Sequence, residues 1–185
     1  MKEYSTGNIR NIALVSHSSA GKTILTEAFL HITGATTRMG NINEGTTASD
    51  FDEEEVRRSI SLYSSVIPIE HKDTKINFLD TPGYTDFVGE MISALSVVEG
   101  AVVVVDAVSG YEVGTEIAWN YCDKFSLPRF VLINKMDREN ADFNKALASV
   151  EERSSTRLIK IQLPWGEKQD FQGVIDLLSM KAYKG

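Results

Sequence analysis

The sequence predicts a three-layer α/β fold with a mostly parallel sheet and one antiparallel edge strand. Strand-like apolar segments alternate with amphipathic helical segments along most of the 185 residues, which is the pattern of a sheet covered by helices. The run 101–105 is apolar without alternation, as expected of a strand that is buried on both faces. A hairpin pattern in the first half of the chain adds the antiparallel edge strand.

Each element is expected from its own pattern. Strands are predicted at 11–15, 61–71, 75–79, 101–105, 129–133 and 158–163, and helices at 24–32, 85–98, 112–125 and 142–153. A Lys-Asp-Thr turn joins 61–71 to 75–79, which makes this pair the hairpin. Because Pro68 has no N–H to donate, its strand is expected at the sheet edge. The segment 35–58, rich in Gly, Thr, Asn and acidic residues, predicts a long functional or mobile loop.

Composition narrows the class of protein. A hydrophobic content of 42% with 24% charged residues is typical of a globular domain, and no apolar run is long enough to span a membrane. The net charge of −7 argues against sequence-independent binding of nucleic acid by the whole domain. The single cysteine, Cys122, permits no internal disulfide and is expected to be buried. We expect a cytoplasmic monomer that binds neither DNA nor a membrane.

The first strand leads into a loop of the type that binds phosphate. Residues 16–23 fit G-x-x-x-x-G-K-[ST], except that Ser16 replaces the first glycine. Backbone N–H groups of such a loop surround a β-phosphate, while Lys22 would reach the β- and γ-phosphates and the Thr23 hydroxyl would bind Mg²⁺. A turn before an ordinary helix would also explain this loop alone. The predicted nucleotide contacts are His17, Ser18, Ser19, Ala20, Gly21, Lys22, Thr23 and Ile24.

A second motif follows the strand 75–79. The sequence Asp-Thr-Pro-Gly places Asp80 directly after an apolar strand and Gly83 three residues later. Asp80 would contribute to the Mg²⁺ shell, and the Gly83 N–H would meet the γ-phosphate. An ordinary turn at the end of a strand is the simpler interpretation of this motif alone, since Asp, Pro and Gly are all turn residues.

A third motif, Asn-Lys-Met-Asp, follows the strand 129–133. Asp137 can accept hydrogen bonds from both N–H groups on the guanine edge, whereas adenine would leave its carboxylate unpaired. Asn134 can tie this loop to the phosphate loop, and the stem of Lys135 can lie along the base. Three motifs in this order, each at a strand end, predict a P-loop NTPase that binds GTP or GDP with Mg²⁺.

Along its length the chain resembles the translational GTPases, and among them bacterial elongation factor G. The matching segments are NIRNIALVSHSSAGKTILTEAFLHITG at the phosphate loop, NEGTTASDFDEEEVRRSISL at switch I, FLDTPGYTDFVGEM at switch II and PRFVLINKMD at the guanine loop. The resemblance implies a Ras-like G domain. It also implies that Ser61 supplies the switch I hydroxyl ligand to Mg²⁺, where the family has threonine. Arg57 and Arg58 would contact phosphate or RNA, or be solvated.

The resemblance implies three catalytic residues, Lys22, Gly83 and Tyr84. Tyr84 stands where the family has a histidine that positions the attacking water. A tyrosine hydroxyl can donate and accept a hydrogen bond, but the side chain is larger and carries no positive charge near neutral pH. Two interpretations of Tyr84 therefore stay open: a residue that positions water, or a surface or packing residue. Ser19 replaces an aspartate of the family, which removes the support for a monovalent-cation site.

The tail, IQLPWGEKQDFQGVIDLLSMKAY, resembles the entry into a subdomain that is inserted in the GTPase domain of elongation factor G. We therefore expect a P-loop GTPase domain over 1–165 that lacks its last elements, and the start of an inserted subdomain over 166–185. The family's fifth guanine-contact segment has no counterpart in the sequence. This implies a fragment of a larger multidomain protein.

The predicted function is that of a GTPase switch domain in an elongation-factor-G-like protein, of a divergent paralogue type. The parent would hydrolyse GTP when stimulated by ribosomal RNA and proteins, and the chain alone would hydrolyse GTP weakly. The alternative is a GTP-binding regulatory module at the ribosome with little hydrolysis. A plain ATPase is disfavoured by Asp137.

Overall fold

A five-stranded sheet forms the centre of the structure, and a separate three-stranded sheet follows it. The computed structural model describes residues 2–185. The strands are β1 (Ile9–Val15), β2 (Ser65–His71), β3 (Thr74–Asp80), β4 (Gly100–Asp106), β5 (Arg129–Asn134), β6 (Gln162–Trp165), β7 (Gly173–Asp176) and β8 (Lys181–Lys184). The helices are α1 (Lys22–Ile32), α2 (Glu53–Arg58), α3 (Val88–Leu95), α4 (Val113–Lys124) and α5 (Phe143–Ser154). Short 3-10 turns occupy Thr6–Asn8, Ile42–Glu44, Thr85–Phe87 and Lys168–Asp170.

The central sheet has the strand order β2-β3-β1-β4-β5. β1 is parallel to both β3 and β4, and β4 is parallel to β5. β2 pairs antiparallel with β3 and lies at the edge, with Pro68 opposite Asn77. The predicted class, a mostly parallel α/β sheet with one antiparallel edge strand, is confirmed.

Apolar side chains pack on both faces of this sheet. One face is covered by α1, which places Leu30 beside Leu14 of β1. The other face is covered by α3, α4 and α5, whose buried side chains include Met91, Leu95, Ala118, Trp119, Cys122 and Val150. Burial raises the pKa of the Cys122 thiol, as expected of a core cysteine. Within residues 2–185, no helix combines the length and the apolar character that crossing a membrane requires.

The parallel strands bring four polar chain segments to one edge of the sheet. β1, β3, β4 and β5 run in the same direction, so the residues that follow Val15, Asp80, Asp106 and Asn134 lie at neighbouring strand ends. Ligands bind at this edge in sheets of this kind. The three motifs of the sequence therefore meet in space.

The connection between α1 and β2, residues 33–64, is called the switch I segment below. It contains α2, a helix of six residues that the sequence pattern does not predict. Asp52 caps α2, and its capping box pairs Asp52 with Glu55. Three glutamates in the first turn and two arginines in the last turn complement the helix dipole. The caps and charges, rather than an apolar period, account for this helix.

Two predicted elements are placed differently by the structure. The strand expected at 158–163 begins at Gln162 and pairs with β7 in the second sheet, so it does not extend the central sheet. The helix expected at 85–98 opens with a 3-10 turn, and α3 ends at Leu95. The apolar pattern continues to Val98 because Val98 packs in the core beyond the helix end.

Candidate functional site

The loop between β1 and α1 has the backbone of a cradle for a small anion. Ser19 and Gly21 both have left-handed backbone angles, with φ of 61° and 104°. A Cβ on Gly21 would lie 2.4 Å from Asn134 Nδ2, so only glycine fits between the phosphate loop and the guanine loop. Lys22 and Thr23 open α1, and both side chains are buried. The loop therefore presents the N-terminal end of α1 toward the cleft.

Lys22 and Asp80 are buried, ionisable and of opposite charge. Lys22 Nζ donates to Ser16 Oγ at 2.8 Å and to the His17 carbonyl at 3.3 Å. Burial lowers the pKa of Lys22 to about 8, although the nearby Asp80 opposes the shift. Burial raises the pKa of Asp80 to about 6, and here Lys22 opposes the shift. Both charged forms are thus poorly solvated. A bound phosphate would stabilise the ammonium of Lys22, and a bound cation would stabilise the carboxylate of Asp80.

Oxygen atoms from three segments gather beside Thr23. Thr23 Oγ1 donates to Asp80 Oδ2 at 3.0 Å and lies 3.4 Å from Ser61 Oγ. Ser61 in turn donates to Asp50 Oδ1 at 2.7 Å. Asp80 Oδ1 is buried and has no hydrogen-bond partner in the described chain. These oxygens fit a hard divalent cation such as Mg²⁺, which prefers oxygen ligands.

The donor set beside Thr23 mixes hydroxyls with carboxylates. Across residues 2–185, no three His, Cys, Asp or Glu side chains cluster closely enough to hold a metal. A cation here would therefore depend on the hydroxyls and on oxygens of a bound phosphate. Asp50 was not singled out in the sequence, because the switch I segment has no period that separates buried from exposed acids. Its only sequence signal is its position in a segment expected to be functional.

Gly83 brings the chain after β3 against the phosphate loop. A Cβ on Gly83 would lie 2.6 Å from Lys22 Nζ and 2.7 Å from the Ser18 backbone nitrogen. This close approach requires glycine and leaves the Gly83 backbone beside the buried lysine. Tyr84 follows directly, and its side chain is 40% exposed at the mouth of the cleft. Gly83 and Tyr84 therefore both line the cleft beside Lys22.

The guanine loop is tied to the phosphate loop. Asn134 Nδ2 donates to the Ala20 carbonyl at 2.9 Å, which is the tie between loops that the sequence predicts. Lys135 Nζ donates to the Ser19 carbonyl. Asp137, the residue expected to read the base, is exposed on the turn that follows β5. The loop that would select a base is thereby held against the loop that would bind phosphate.

Asp106, at the end of β4, braces the guanine loop and was not predicted. Its carboxylate forms ion pairs with Lys135 at 3.0 Å and with Arg138 at 3.3 Å, and it accepts from the Val108 N–H at 2.8 Å. Burial would raise the pKa of Asp106, but the Val108 N–H and Lys135 outweigh burial and hold the pKa below its usual value. Its sequence signal is an acid directly after a buried strand.

Many of the predicted residues, together with unpredicted residues of the switch I segment, line a cleft of about 250 Å³. Its walls are Ser18, Ser19, Gly21, Lys22, Thr23, Ile24, Ile42, Asp50, Ser59, Ile60, Ser61, Gly83, Tyr84 and Lys135. The switch I segment therefore covers one side of the cleft. Asp80 and Asn134 are not among the walls: Asp80 accepts from Thr23, which lines the cleft, and Asn134 donates to Ala20, the neighbour of Gly21 in the phosphate loop.

The imidazole of His17 packs against α4 rather than in the cleft. His17 Nδ1 accepts from the Gly114 N–H at 3.2 Å, and Nε2 lies 3.6 Å from Glu112 Oε1. A Cβ on Gly114 would lie 2.6 Å from His17 Cα, so α4 begins in direct contact with the phosphate loop. The main chain of His17 is the part that takes part in the loop, through its carbonyl and Lys22.

Residues 7–184 match the family model described as the elongation factor Tu GTP binding domain. The chain belongs to this family of translational GTPases. Relatives in the family include elongation factor G 2 of Streptomyces coelicolor, which is 41% identical over 174 residues and is matched by 94% of this chain. Elongation factor G of Petrotoga mobilis is 41% identical over 184 residues, or 98% of this chain. These matches confirm the resemblance to elongation factor G.

A solved structure also matches this translational GTPase domain. The crystal structure of a protein from Thermus thermophilus superposes with a TM-score of 0.90 and 38% sequence identity, over 96% of this chain and 26% of that protein. The match confirms the P-loop GTPase fold. The chain spans about a quarter of the length of its curated relatives, 25% in Streptomyces coelicolor and 26% in Petrotoga mobilis.

Proposed function

We propose that this chain binds GTP and GDP with Mg²⁺ and hydrolyses GTP, as the GTP-binding domain of an elongation-factor-G-like protein. The observation that carries the proposal is the meeting of three loops at one edge of the sheet. They bring Lys22, Asp80 and Asn134 together from three different strand ends. Membership in a family of GTP-binding domains supports the same ligand.

The phosphates would bind where the chain has small residues and a buried lysine. Gly21 and Gly83 line the cleft without side chains, so their main chain can approach a phosphate closely. Lys22 would exchange its bonds to Ser16 and His17 for phosphate oxygens, which would keep the ammonium charged. A negatively charged phosphate would therefore stabilise the Lys22 ammonium more than these two neutral oxygens do.

Mg²⁺ would be held by Thr23, Ser61 and Asp80, with Asp50 accepting the hydrogen bond that orients Ser61. The bound ion supplies positive charge to the β- and γ-phosphate oxygens. The unpartnered Asp80 Oδ1 supports this assignment, because a buried carboxylate oxygen is costly unless something pairs with it.

The base would be selected by Asp137, with Asn134 and Lys135 bracing its loop. The exposed carboxylate of Asp137 can accept from the two N–H groups that guanine, but not adenine, presents on one edge. Asp106 supports this assignment, since its ion pairs with Lys135 and Arg138 fix the loop on both sides of Asp137.

In GTP hydrolysis the protein contributes positioning and charge stabilisation, and none of its side chains forms a covalent bond to the phosphate. The Lys22 ammonium and the Gly83 N–H would stabilise the charge that develops on the γ-phosphate oxygens. The Tyr84 hydroxyl would orient the attacking water from the mouth of the cleft, where the side chain is 40% exposed. Lys22 belongs to the phosphate loop, and Gly83 and Tyr84 belong to the segment that contacts it.

For the protein as a whole we propose the roles that the relatives suggest. Residues 1–165 would be the GTPase domain, and 166–185 would begin an inserted subdomain. The separate sheet β6–β8 supports a second unit at this end of the chain, although its first strand, Gln162–Trp165, lies before that boundary. The protein would act as a monomer in the cytoplasm, on the ribosome, where ribosomal RNA and proteins would stimulate hydrolysis. Two curated relatives of this chain are named elongation factor G.

A GTP-binding module with little hydrolysis is the second candidate function. No histidine lines the cleft among the residues that the structure describes, and Tyr84 occupies the position after Gly83. A tyrosine hydroxyl is a weaker partner for a polarised water than a charged imidazole. The two candidates share binding and differ only in the cleavage step.

Single-turnover cleavage of GTP by the chain, with excess protein and Mg²⁺, separates these functions. We expect GTP to be bound and cleaved, and Tyr84→Phe to bind GTP equally but to cleave it about tenfold or more slowly, because a positioned proton-transfer partner contributes at least that much. Tyr63→Phe is the matched control, since Tyr63 is 48% exposed and lies outside the walls of the cleft.

Three results would change these conclusions. Binding without cleavage in the unmodified chain, both with and without added ribosomes, would favour the regulatory module. Equal cleavage by the chain and by Tyr84→Phe would remove the water-positioning role from Tyr84. Failure of the unmodified chain to bind GTP at all would contradict the proposed function.

A further inference from the structure

Glu27 is a buried carboxylate in α1 that none of the nucleotide motifs includes. The side chain is 2% exposed and lies one helical turn after Thr23. Its two oxygens accept hydrogen bonds from the switch I segment: Oε2 from the Gly40 N–H at 2.7 Å, and Oε1 from the Ala48 N–H at 2.6 Å. A buried carboxylate is tolerated only when it is well hydrogen-bonded, so these two bonds are central to its environment.

The switch I segment wraps tightly around this carboxylate. A Cβ on Gly40 would lie 2.8 Å from Glu27 Oε2, 2.5 Å from the Thr46 carbonyl and 2.7 Å from Thr47 Cα. No larger residue fits at position 40 unless the segment moves. The contact therefore depends on a particular path of the main chain as well as on the charge of Glu27.

From Ala48 the main chain leads directly to the oxygens beside Thr23. Asp50 is two residues further on and is buried. Its carboxylate accepts from Ser61 at 2.7 Å, and Ser61 Oγ lies 3.4 Å from Thr23 Oγ1. The hydrogen bond from Ala48 to Glu27 thus fixes the stretch of chain that delivers Asp50 and Ser61 to the cleft.

Two other glutamates accept backbone hydrogen bonds from the same segment, but they are placed differently. Glu55 is fully buried and accepts from Leu62 and Tyr63, yet it belongs to the segment itself. Glu90, on α3, is only partly buried and accepts one bond, from Ser64. Of the three, Glu27 alone is both buried and rooted in the helix that begins with Lys22.

We propose that Glu27 is a positioning residue that holds the switch I segment closed over the cleft and so favours GTP over GDP. The inference rests on the proposed function, because GTP differs from GDP only in the γ-phosphate. The closed segment supplies Ser61 and Asp50 on the side where that phosphate and its Mg²⁺ would lie. GDP binding depends less on this closure.

Glu27→Gln tests the proposal with little change in size. The amide keeps one acceptor but turns an N–H₂ group toward one of the two backbone donors, which leaves a buried polar group unpaired. We expect GTP affinity to fall about tenfold and GDP affinity to change less than about twofold. Both affinities are measured by titration of the full chain with Mg²⁺ and fluorescent GTP or GDP.

Two more variants and one measurement without nucleotide complete the test. Glu53→Gln removes a charge at an exposed position of the same segment, and we expect it to leave both affinities unchanged. Gly40→Ala disturbs the contact from the opposite side and should reproduce the GTP-selective loss. Without nucleotide, hydrogen exchange should become faster at residues 40–48 in Glu27→Gln and stay unchanged in Glu53→Gln.

The outcomes separate this inference from the proposed function. Equal losses of GTP and GDP affinity in Glu27→Gln, or none, would overturn the inference while leaving nucleotide binding intact. Unchanged hydrogen exchange at 40–48 would overturn the claim that Glu27 holds the segment. If the unmodified chain bound neither nucleotide, the proposed function would fail, and the GTP preference assigned to Glu27 would fail with it.

Discussion

Lys22 and Asp80 make the centre of the cleft sensitive to pH. Burial raises the pKa of Asp80 to about 6, so the folded chain holds the carboxyl proton more tightly than the unfolded chain does. This contribution to the free energy of unfolding is complete below the pKa of the unfolded carboxyl, and it is lost as pH rises through 6. Burial lowers the pKa of Lys22 to about 8, so the contribution of Lys22 to the free energy of unfolding is complete above the pKa of the unfolded lysine and is lost as pH falls through 8. Near neutral pH both groups are charged and neither stabilises the nucleotide-free chain.

Asp80→Asn should remove one part of this pH dependence. Between pH 4 and pH 7 the free energy of unfolding of the nucleotide-free chain should fall by about 2 kcal/mol relative to that of the variant, because this range covers most of a shift of about two pKa units. Urea unfolding of both proteins at several pH values measures the difference. Parallel curves for the two proteins would contradict the raised pKa of Asp80.

The residues that the sequence missed are mostly acids whose burial cannot be inferred from residue type. Asp50 begins an acidic run and Glu27 lies in an ordinary helical pattern, and only the folded chain shows the N–H and O–H donors that contact them. Lys22, Asp80 and Asn134 could be found because each has a fixed offset from a strand end. His17 was found by its place in the loop, although its imidazole faces α4.

At the scale of elements, the guanine loop is supported by the second sheet as well as by β5. The Lys168 N–H donates to the Met136 carbonyl at 3.1 Å. Phe171, on the same turn between β6 and β7, packs against a cluster that contains Met136, Ala107 and Ala141. The residue before Asp137 is thus held by main-chain and apolar contacts from outside the central sheet.

Phe171→Ala should therefore loosen the guanine loop. We expect GTP and GDP to dissociate about fivefold faster, by an equal factor for both, since the base is common to them and loss of a partly buried aromatic contact costs roughly 1 kcal/mol. Stopped-flow release of fluorescent nucleotide measures these rates. Leu178→Ala, at a position that is 79% exposed, is the control. Unchanged release in Phe171→Ala would contradict a role for the second sheet.

The elements were predictable where an apolar period is strong. The sequence predicts all five strands of the central sheet, including the antiparallel edge strand that contains Pro68. It misses α2, because six residues with a single apolar side chain have no period and the helix depends on its caps and charges. It assigns 158–163 to a strand without showing that the strand begins a new sheet, since partners distant in sequence decide pairing.

At the scale of the whole molecule, the four parallel strands of the central sheet converge on one cleft. The sheet order places β1 between β3 and β4, so the phosphate loop lies between Asp80 on one side and the end of β4 on the other. The guanine loop follows the next strand, β5. This order of strands, together with family membership, makes guanine-nucleotide binding the central claim.

The most direct measurement is the base preference of the chain and of Asp137→Asn, by equilibrium titration with GDP, ADP and xanthosine diphosphate in Mg²⁺. The unmodified chain should bind GDP at least about 100-fold more tightly than ADP, because a site built to pair with N–H groups rejects a base that lacks them. Asp137→Asn should prefer xanthosine diphosphate, since the new amide can donate to the carbonyl that xanthine has in place of the guanine amine. Equal affinity for GDP and ADP, or an unchanged preference in Asp137→Asn, would contradict the account.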